Sequence, residues 1–263
     1  MEKQISKAQT HGNHTSESLS YRHKFHVPLV AYGIITGAFS GAIACLYRYA
    51  IEKSGELSAG IYGYLSNHWY LVPVWFAALA ALAFFVGTLV KWEPLIKGSG
   101  IPQTEGVLLR QIDMKWWRVL LAKFAGGALC IFAGLSLGRE GPSIQLGGAA
   151  GQGIRKLYKR PEAEEKYLIT GGASAGLAAA FNAPLSGVVF ALEEVHRHFS
   201  PAVLLTAMSA AITSDLVSKL VYGGSPVLEF RQIPQLPLDM TAWLVILGLI
   251  MGIGGALFNY TIA

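Results

Sequence analysis

Long uncharged runs dominate the pattern of hydrophobic and polar positions along this chain. Four of them cover residues 27–47, 71–90, 167–192 and 240–263. Each has the roughly 20 residues that a helix needs to cross a bilayer. Two shorter uncharged runs cover residues 124–138 and 199–214. The pattern predicts an all-α polytopic membrane protein.

The same pattern predicts where the elements lie. Full-length helices are expected at 28–52, 72–91, 119–137, 163–182, 201–222 and 239–260, and shorter pieces at about 101–111, 142–156 and 184–197. Residues 27–263 therefore form one membrane domain. Residues 1–26 are polar and lack the apolar stretch of a signal peptide, so we expect a disordered cytoplasmic tail.

Composition and charge agree with a membrane location. Hydrophobic residues make up 52% of the chain and charged residues only 14%, against about 25% charged in soluble domains. The net charge of +5 comes from basic clusters beside the uncharged runs, which favour the cytoplasmic side and do not indicate nucleic-acid binding. The two cysteines, Cys45 and Cys130, lie in apolar segments, so neither a disulfide nor a zinc site is indicated.

Four predicted helices begin with a similar motif of small or polar residues followed by proline. The motifs are Ser99-Gly100-Ile101-Pro102, Glu140-Gly141-Pro142, Phe181-Asn182-Ala183-Pro184 and Phe199-Ser200-Pro201. Proline is tolerated in the first helical turn, and Gly, Ser and Asn suit the cap before it. The first three motifs open the shorter pieces, which places helix N-termini at membrane depth, where irregular backbone must be buried or line a wet cavity.

Helix N-termini attract anions, because their N–H groups are free and carry a partial positive charge. Two termini preceded by "GSG" and "GREG" can converge on one small anion, with Ser99 donating its hydroxyl. Glu140 is itself an anion beside such a terminus. It can therefore occupy the site as a tethered substitute and leave when it is protonated, which makes it a candidate gate and proton carrier.

The remaining charged residues allow structural roles that need no contact with a substrate. We expect Arg139, Glu105 and Lys123 to form structural ion pairs among themselves or with Glu140, because charges at membrane depth need partners. By the residues alone, Glu193 and Glu194 are interface charges that close a helix. His196 and His198 lack a third ligand, so no metal site is predicted.

Three segments of the chain resemble signature motifs of the CLC family of chloride channels and chloride/proton antiporters. They are "GSGIPQTEG" (98–106), "GREGPSIQLGG" (138–148) and "GLAAAFNAPLSGVVFALEE" (176–194). The resemblance implies a CLC-like fold of tilted, partly re-entrant helices. It also implies that the chain holds the first of two inverted repeats and the start of the second, in a protein that forms a homodimer.

The resemblance also assigns roles to residues of this sequence. Ser99 is similar to the family's side-chain ligand of the central anion, with backbone N–H groups around Gly100, Ile101 and Gly141 completing the site. Glu140 resembles the external gating glutamate. Glu194 resembles the internal proton-transfer glutamate that is found in antiporters and usually absent from channels.

The chain departs from the family pattern in two ways. Gln103 stands where many relatives have glutamate, and we expect it to tune the site without abolishing it. The chain also ends at Ala263, before the second half's Gly-x-Phe-x-Pro motif and the downstream tyrosine. We therefore expect either a fragment of a longer protein or a truncated product that does not transport alone.

These observations predict a secondary active transporter, not an enzyme, that exchanges chloride or a similar small anion for protons without a cofactor. The alternatives are a passive voltage- or pH-gated chloride channel of the same fold, and a truncated fragment without transport activity of its own. We expect a multi-pass protein of the plasma (inner) membrane with a cytoplasmic N-terminus, in contact with lipid and not with nucleic acid.

Overall fold

The computed structural model describes the backbone of residues 2–224 and 240–262 and the side chains of residues 27–224 and 240–261. The backbone falls into two units, Met1–Val227 and Leu228–Ala263. The helices of the first unit are α1 (Glu2–Asn67), α2 (Val72–Trp92), α3 (Ile101–Leu108), α4 (Trp116–Phe132), α5 (Glu140–Leu157), α6 (Glu165–Phe181), α7 (Pro184–Phe190) and α8 (Pro201–Tyr222). In the second unit, α9 covers Thr241–Ile262.

Short helical turns link several of these helices. A π-helix at Ala191–His196 continues α7, and 3₁₀ turns lie at Trp69–Leu71, Pro94–Ile96 and Glu162–Glu164. No strand occurs within the described ranges. The prediction of an all-α fold is confirmed.

Four helical segments are long and apolar enough to cross a membrane: Val27–Asn67, Trp69–Trp92, Pro201–Tyr222 and Thr241–Thr261. By contrast, α3 has 8 residues and extends only about 12 Å at 1.5 Å per residue, less than half of a hydrocarbon core of about 30 Å. The full-length helices predicted at 28–52, 72–91, 201–222 and 239–260 are therefore confirmed, as are the short pieces at 101–111 and 184–197. However, α4 and α6, predicted to be full-length, have 17 residues each, and α5, predicted to be short, has 18.

The first helix is longer at both ends than we predicted. Residues 2–26 continue α1 instead of forming a disordered tail. Their sequence offers a physical reason, because it contains one glycine, no proline and several good helix formers such as Lys, Gln, Ala and Glu. At the other end the helix runs past residue 52 to Asn67. The salt bridges Arg48–Glu52 (2.8 Å) and Lys53–Glu56 (2.6 Å) stabilise the charged turns around residue 52.

The boundaries around the "GREG" segment also differ from the prediction. The helix predicted over 119–137 covers Trp116–Phe132 instead, and the chain leaves it at Gly134 with a φ of +89°. The next helix starts at Glu140 and not at residue 142. Glu140 is thus the first residue of α5 itself, instead of lying two residues before the helix.

Helix α6 lies at the centre of the first unit and packs against α5, α8 and α1. Its segment Leu168–Ala180 is buried throughout and consists mostly of Gly and Ala. The backbones of α5 and α6 touch directly, because a Cβ on Gly147 would collide with the carbonyl of Gly172, and one on Gly176 with the carbonyl of Ser143. Small residues at membrane helix interfaces allow this close approach.

Helices α1 and α8 meet through a second set of small residues. A Cβ on Gly37 would lie 2.7 Å from Cα of Ala210, and one on Gly41 would lie 2.9 Å from Cα of Ser214. The hydroxyl of Ser214 donates to the carbonyl of Ala175 on α6 (2.6 Å), which satisfies it inside the apolar core. These contacts join α1, α6 and α8 into the frame that holds the shorter helices.

Candidate anion site

The starts of α3 and α5 line one cavity of about 540 Å³. Ser99, Ile101, Glu140 and Gly141 all belong to its wall. The two starts touch, because a Cβ on Gly141 would lie 2.5 Å from the carbonyl oxygen of Ser99 and 2.8 Å from its Cβ. The predicted convergence of these two helix N-termini is therefore what the structure shows.

Gly100, the fifth residue predicted for the site, lies behind the cavity wall. It is buried, and its φ of +103° is in the left-handed region that favours glycine. A Cβ there would lie 2.6 Å from Oε1 of Gln145 on α5. Gly100 thus shapes the loop and lets it lie directly on α5.

The hydroxyl of Ser99 is free to donate into the cavity. Its Oγ accepts the N–H of Ile101 (3.3 Å), and within the described side chains its O–H has no acceptor. Pro102 contributes no N–H to the first turn of α3, while Thr104 N–H and Oγ1 both return to the carbonyl of Gly100 (3.0 and 2.8 Å). Few donors therefore remain open at the start of α3, and one of them is the hydroxyl of Ser99, which lines the cavity.

Glu140 lies in the first turn of α5 with an exposed side chain. Among the described residues, no basic group lies within 4 Å of its carboxylate. Ser143 closes the helix start by donating to the carbonyl of Arg139 (2.7 Å). The carboxylate is thus tethered at the helix start, and within the described residues it forms no hydrogen bond or ion pair, although the adjacent Arg139 guanidinium interacts with it electrostatically.

Lys123 does not form the ion pair that we expected. It is 5% exposed, and its Nζ donates to the carbonyls of Ile96 (3.0 Å) and Gly98 (2.7 Å). No carboxylate of the described residues lies within 4 Å. The loop carbonyls therefore accept hydrogen bonds from this buried lysine at the wall of the cavity, which it also lines. The bonds from Lys123 to loop carbonyls were not predicted from the sequence, although a single lysine in the apolar helix α4 was a signal that it has a buried partner.

The other two expected ion pairs also need correction. Arg139 has no carboxylate within 4 Å among the described residues, and its guanidinium lies 5.6 Å from the ring centroid of Phe181, a cation–π contact. Glu105 does form an ion pair, but its partner is Arg197, at 2.9 Å. That pair ties α3 to the residue that follows the π-helix.

Two glutamine side chains hold the loop before α3. Gln103 donates from Nε2 to the carbonyl of Lys97 (2.9 Å), and the fully buried Gln145 donates from Nε2 to the carbonyl of Leu95 (2.7 Å). Leu95 and Lys97 are the chain neighbours of Ile96, so both bonds fix the stretch of backbone that holds Lys123. Neither glutamine was predicted to do this.

Glu194 lies apart from the cavity. It is exposed, belongs to the π-helix, and is not part of the cavity wall. The turn around it is fixed by His196, whose Nδ1 lies 2.8 Å from Oγ1 of Thr170. Because Thr170 donates its own proton to the carbonyl of Lys166 (2.8 Å), the His196 ring must donate from Nδ1.

An all-α fold with helices long and apolar enough to cross a membrane, in which two helix starts, Ser99 and Lys123 line one cavity, defines a polytopic membrane protein. The sequence model described as "Voltage gated chloride channel" matches residues 82–263. The chain belongs to this family, which confirms the resemblance drawn from its motifs.

Curated relatives with similar sequences carry the name H(+)/Cl(−) exchange transporter ClcA. The chain is 35% identical to the protein of Klebsiella pneumoniae (strain 342) over 251 residues, which cover 93% of this chain and 53% of the relative. It is also 35% identical to the Citrobacter koseri protein over 252 residues, with the same shares covered. The chain spans about half the length of these relatives.

Solved structures give the same picture of the fold. A structure described as a slow cyanobacterial Cl−/H+ antiporter matches with a TM-score of 0.76 and 30% identity, over 88% of this chain and 56% of the other. A CLC-type fluoride/proton antiporter matches with a TM-score of 0.69 over the same shares, but its 24% identity supports the fold alone. The predicted CLC-like fold is confirmed.

Proposed function

We propose that this chain forms part of a secondary active transporter that exchanges chloride, or a similar small anion, for protons. The observation that carries the proposal is the convergence of Ser99, the start of α5 and Lys123 on one cavity that also contains Glu140. The relatives named as H(+)/Cl(−) exchange transporters support the same activity.

The donors around the cavity suit a small spherical anion. The start of α5 and the hydroxyl of Ser99 offer hydrogen bonds without the paired donors that a carboxylate or a phosphate would use, whereas the Ile101 N–H at the start of α3 is already bonded to Ser99 Oγ. Lys123 lines the same cavity, and its Nζ donates to two neutral carbonyls, those of Ile96 and Gly98. Glu140 contributes a carboxylate to the wall of this cavity, so it competes with the anion for the same donors.

Glu140 couples the anion to a proton. Its ionised carboxylate competes with the substrate for the start of α5, because both are anions. Protonation removes that attraction and frees the position, so anion occupancy rises as the pH falls. Glu194 would carry protons on the opposite side, a role that rests on the "LEE" motif and on the antiporter relatives.

The surrounding assignments follow from the same proposal. The protein works as a homodimer in the plasma (inner) membrane, with a cytoplasmic N-terminus, with chloride and protons as substrates and with no cofactor. It is a transporter and not an enzyme. A passive channel of the same fold is the second candidate, and it is favoured by the exposed position of Glu194, which has no described ion-pair partner.

Chloride binding tests the site in the chain as it stands. The purified chain in detergent is melted with chloride or with gluconate, at mildly acidic and mildly alkaline pH. A bound ligand raises the melting temperature, and we expect chloride to do so more strongly at acidic pH. Glu140→Gln should make the chloride effect the same at both pH values. A variant that keeps the full pH dependence would contradict the gating role.

Flux in liposomes separates the three candidate functions. An outward chloride gradient should drive proton movement if the chain exchanges the two ions. Glu194→Gln should stop the protons and leave chloride movement, whereas Glu193→Gln, the adjacent control, should change neither. Chloride movement without protons in the unmodified chain would indicate a channel. No movement of either ion would indicate that the chain does not transport alone.

A further inference from the structure

A second cavity, of about 490 Å³, lies between the ends of α3 and α5 and the starts of α4 and α6. It shares no lining residue with the anion site. Five of its lining residues are basic: Arg110, Lys115, Arg155, Lys156 and Lys166. We call this cavity the basic pocket.

The basic pocket has more positive charge than its own carboxylates neutralise. Arg110 pairs with Glu162 at 3.7 Å, and Arg155 pairs with Glu165 at 3.4 Å. The remaining lining charges are Lys115, Lys156, Lys166 and Asp113. Three lysines face one aspartate, so two positive charges are left for an anionic ligand.

A buried amide oxygen in the same pocket has no partner. Gln152 is 4% exposed, and its Nε2 donates to Oε1 of Glu165 at 2.8 Å. Its Oε1 has no hydrogen-bond donor among the described residues. Buried acceptors of this kind are normally satisfied, which indicates a ligand that carries a hydroxyl or another donor as well as negative charge.

Exposed aromatic residues lie close in the chain to one lining residue of the pocket. Trp92 and Trp117 are 42% and 44% exposed, and their ring centroids lie 5.8 Å apart. The guanidinium of Arg118 lies 5.3 Å from both rings. Tryptophan is enriched at the membrane–water interface. Because Lys115 lies two residues before Trp117 and lines the pocket, we infer that this side of the pocket lies near the interface.

We propose that the basic pocket binds the headgroup of an anionic glycerophospholipid of the phosphatidylglycerol class. The unpaired lysines hold the phosphodiester, and the glycerol hydroxyls donate to Gln152 Oε1 and to the carboxylate of Asp113. Inorganic phosphate carries one or two hydroxyl donors at neutral pH, but they lie on the same small group that the lysines hold, whereas the glycerol hydroxyls stand apart from the phosphodiester. A zwitterionic headgroup carries no net charge to match the two positive charges.

The test titrates soluble short-chain lipids against the purified chain in a non-ionic detergent, with tryptophan fluorescence as the readout. The ligands are dihexanoyl phosphatidylglycerol, phosphatidylethanol, which has the same charge but no headgroup hydroxyls, phosphatidylcholine and inorganic phosphate. We expect phosphatidylglycerol to bind most tightly. Each basic residue near a membrane surface contributes about fivefold to such binding, so Lys156→Ala/Lys166→Ala should weaken it about 25-fold.

A matched control removes two lysines outside the pocket, Lys53→Ala/Lys91→Ala, with the same change in net charge. It should bind phosphatidylglycerol as the unmodified chain does. Equal affinity for phosphatidylglycerol and phosphatidylcholine would overturn the proposal, as would equal weakening in the two double variants. Phosphatidylethanol binding as tightly as phosphatidylglycerol would reject the hydroxyl contacts. If inorganic phosphate bound as tightly as phosphatidylglycerol, the pocket would be a site for free phosphate and the lipid proposal would be wrong.

Discussion

Replacing Gly141 by alanine should separate the two helix starts that form the anion site. The added Cβ would lie 2.5 Å from the carbonyl oxygen of Ser99 and 2.8 Å from its Cβ. The first of these contacts must lengthen by roughly 0.9 Å to reach 3.4 Å, the lower limit of ordinary van der Waals contact. This contact joins the new Cβ to a backbone oxygen, so no flexible side chain can move to relieve it.

Overpacking of this kind typically costs about 1–3 kcal/mol. For a chain of this size each kcal/mol shifts the melting temperature by about 2–4 °C, so we expect Gly141→Ala to melt roughly 2–12 °C lower. It should also lose the stabilisation by chloride, because the loop that holds the Ser99 hydroxyl has moved away from the start of α5.

Gly138 is the matched control for this substitution. It lies on the other side of Glu140, no atom lies within 4 Å of a Cβ built there, and its φ is outside the left-handed region. Gly138→Ala should change stability by less than about 0.5 kcal/mol and keep the chloride effect. Thermal unfolding in detergent, with and without chloride, measures both variants. Equal losses in the two variants would refute the contact argument.

Three further substitutions and one control substitution test other parts of the structure by the same thermal assay. Lys123→Met leaves two loop carbonyls without their donor and should cost about 1–3 kcal/mol; no loss would mean that water replaces the ammonium freely. Gln103→Glu removes the donor to the carbonyl of Lys97 and should cost about 0.5–1.5 kcal/mol, with no change expected if the bond is unimportant. Gly37→Ala should destabilise by about 1–3 kcal/mol because its Cβ meets the backbone of α8. Gly63→Ala on the same helix, with no atom within 4 Å, should stabilise by up to about 1 kcal/mol, and the same sign for both would contradict the packing between α1 and α8.

Features that depend on neighbouring residues in the chain were predictable from the sequence. Proline lies in the first two residues of α3, α7 and α8, because its fixed φ and missing N–H suit that position whatever surrounds it. At the start of α8, Ser200 accepts from the N–H of Val203 at 3.2 Å, the expected cap. The contact between the "GSG" and "GREG" starts joins distant residues, but it was predictable because both starts can bind the same small anion.

Features that depend on distant residues were not predictable from the sequence. Lys123 has carbonyl partners 25 and 27 residues earlier in the chain, and no pattern of side chains reveals which backbone groups remain unpaired. The ion pair of Glu105 required knowing that the chain returns Arg197 to α3. The helix predicted to end at residue 52 continues to Asn67, and the ion pairs Arg48–Glu52 and Lys53–Glu56, each about one turn apart, support it there.

The crossing of α5 and α6 makes the start of α5 a fixed point. At Gly147 the two backbones meet with no side chain between them, and this contact lies about 10 Å along the helix from Glu140. Neither helix can slide past the other without a backbone collision. An ion that arrives at the cavity therefore meets donors whose positions were set when the protein folded, so binding needs little reorganisation of the receptor.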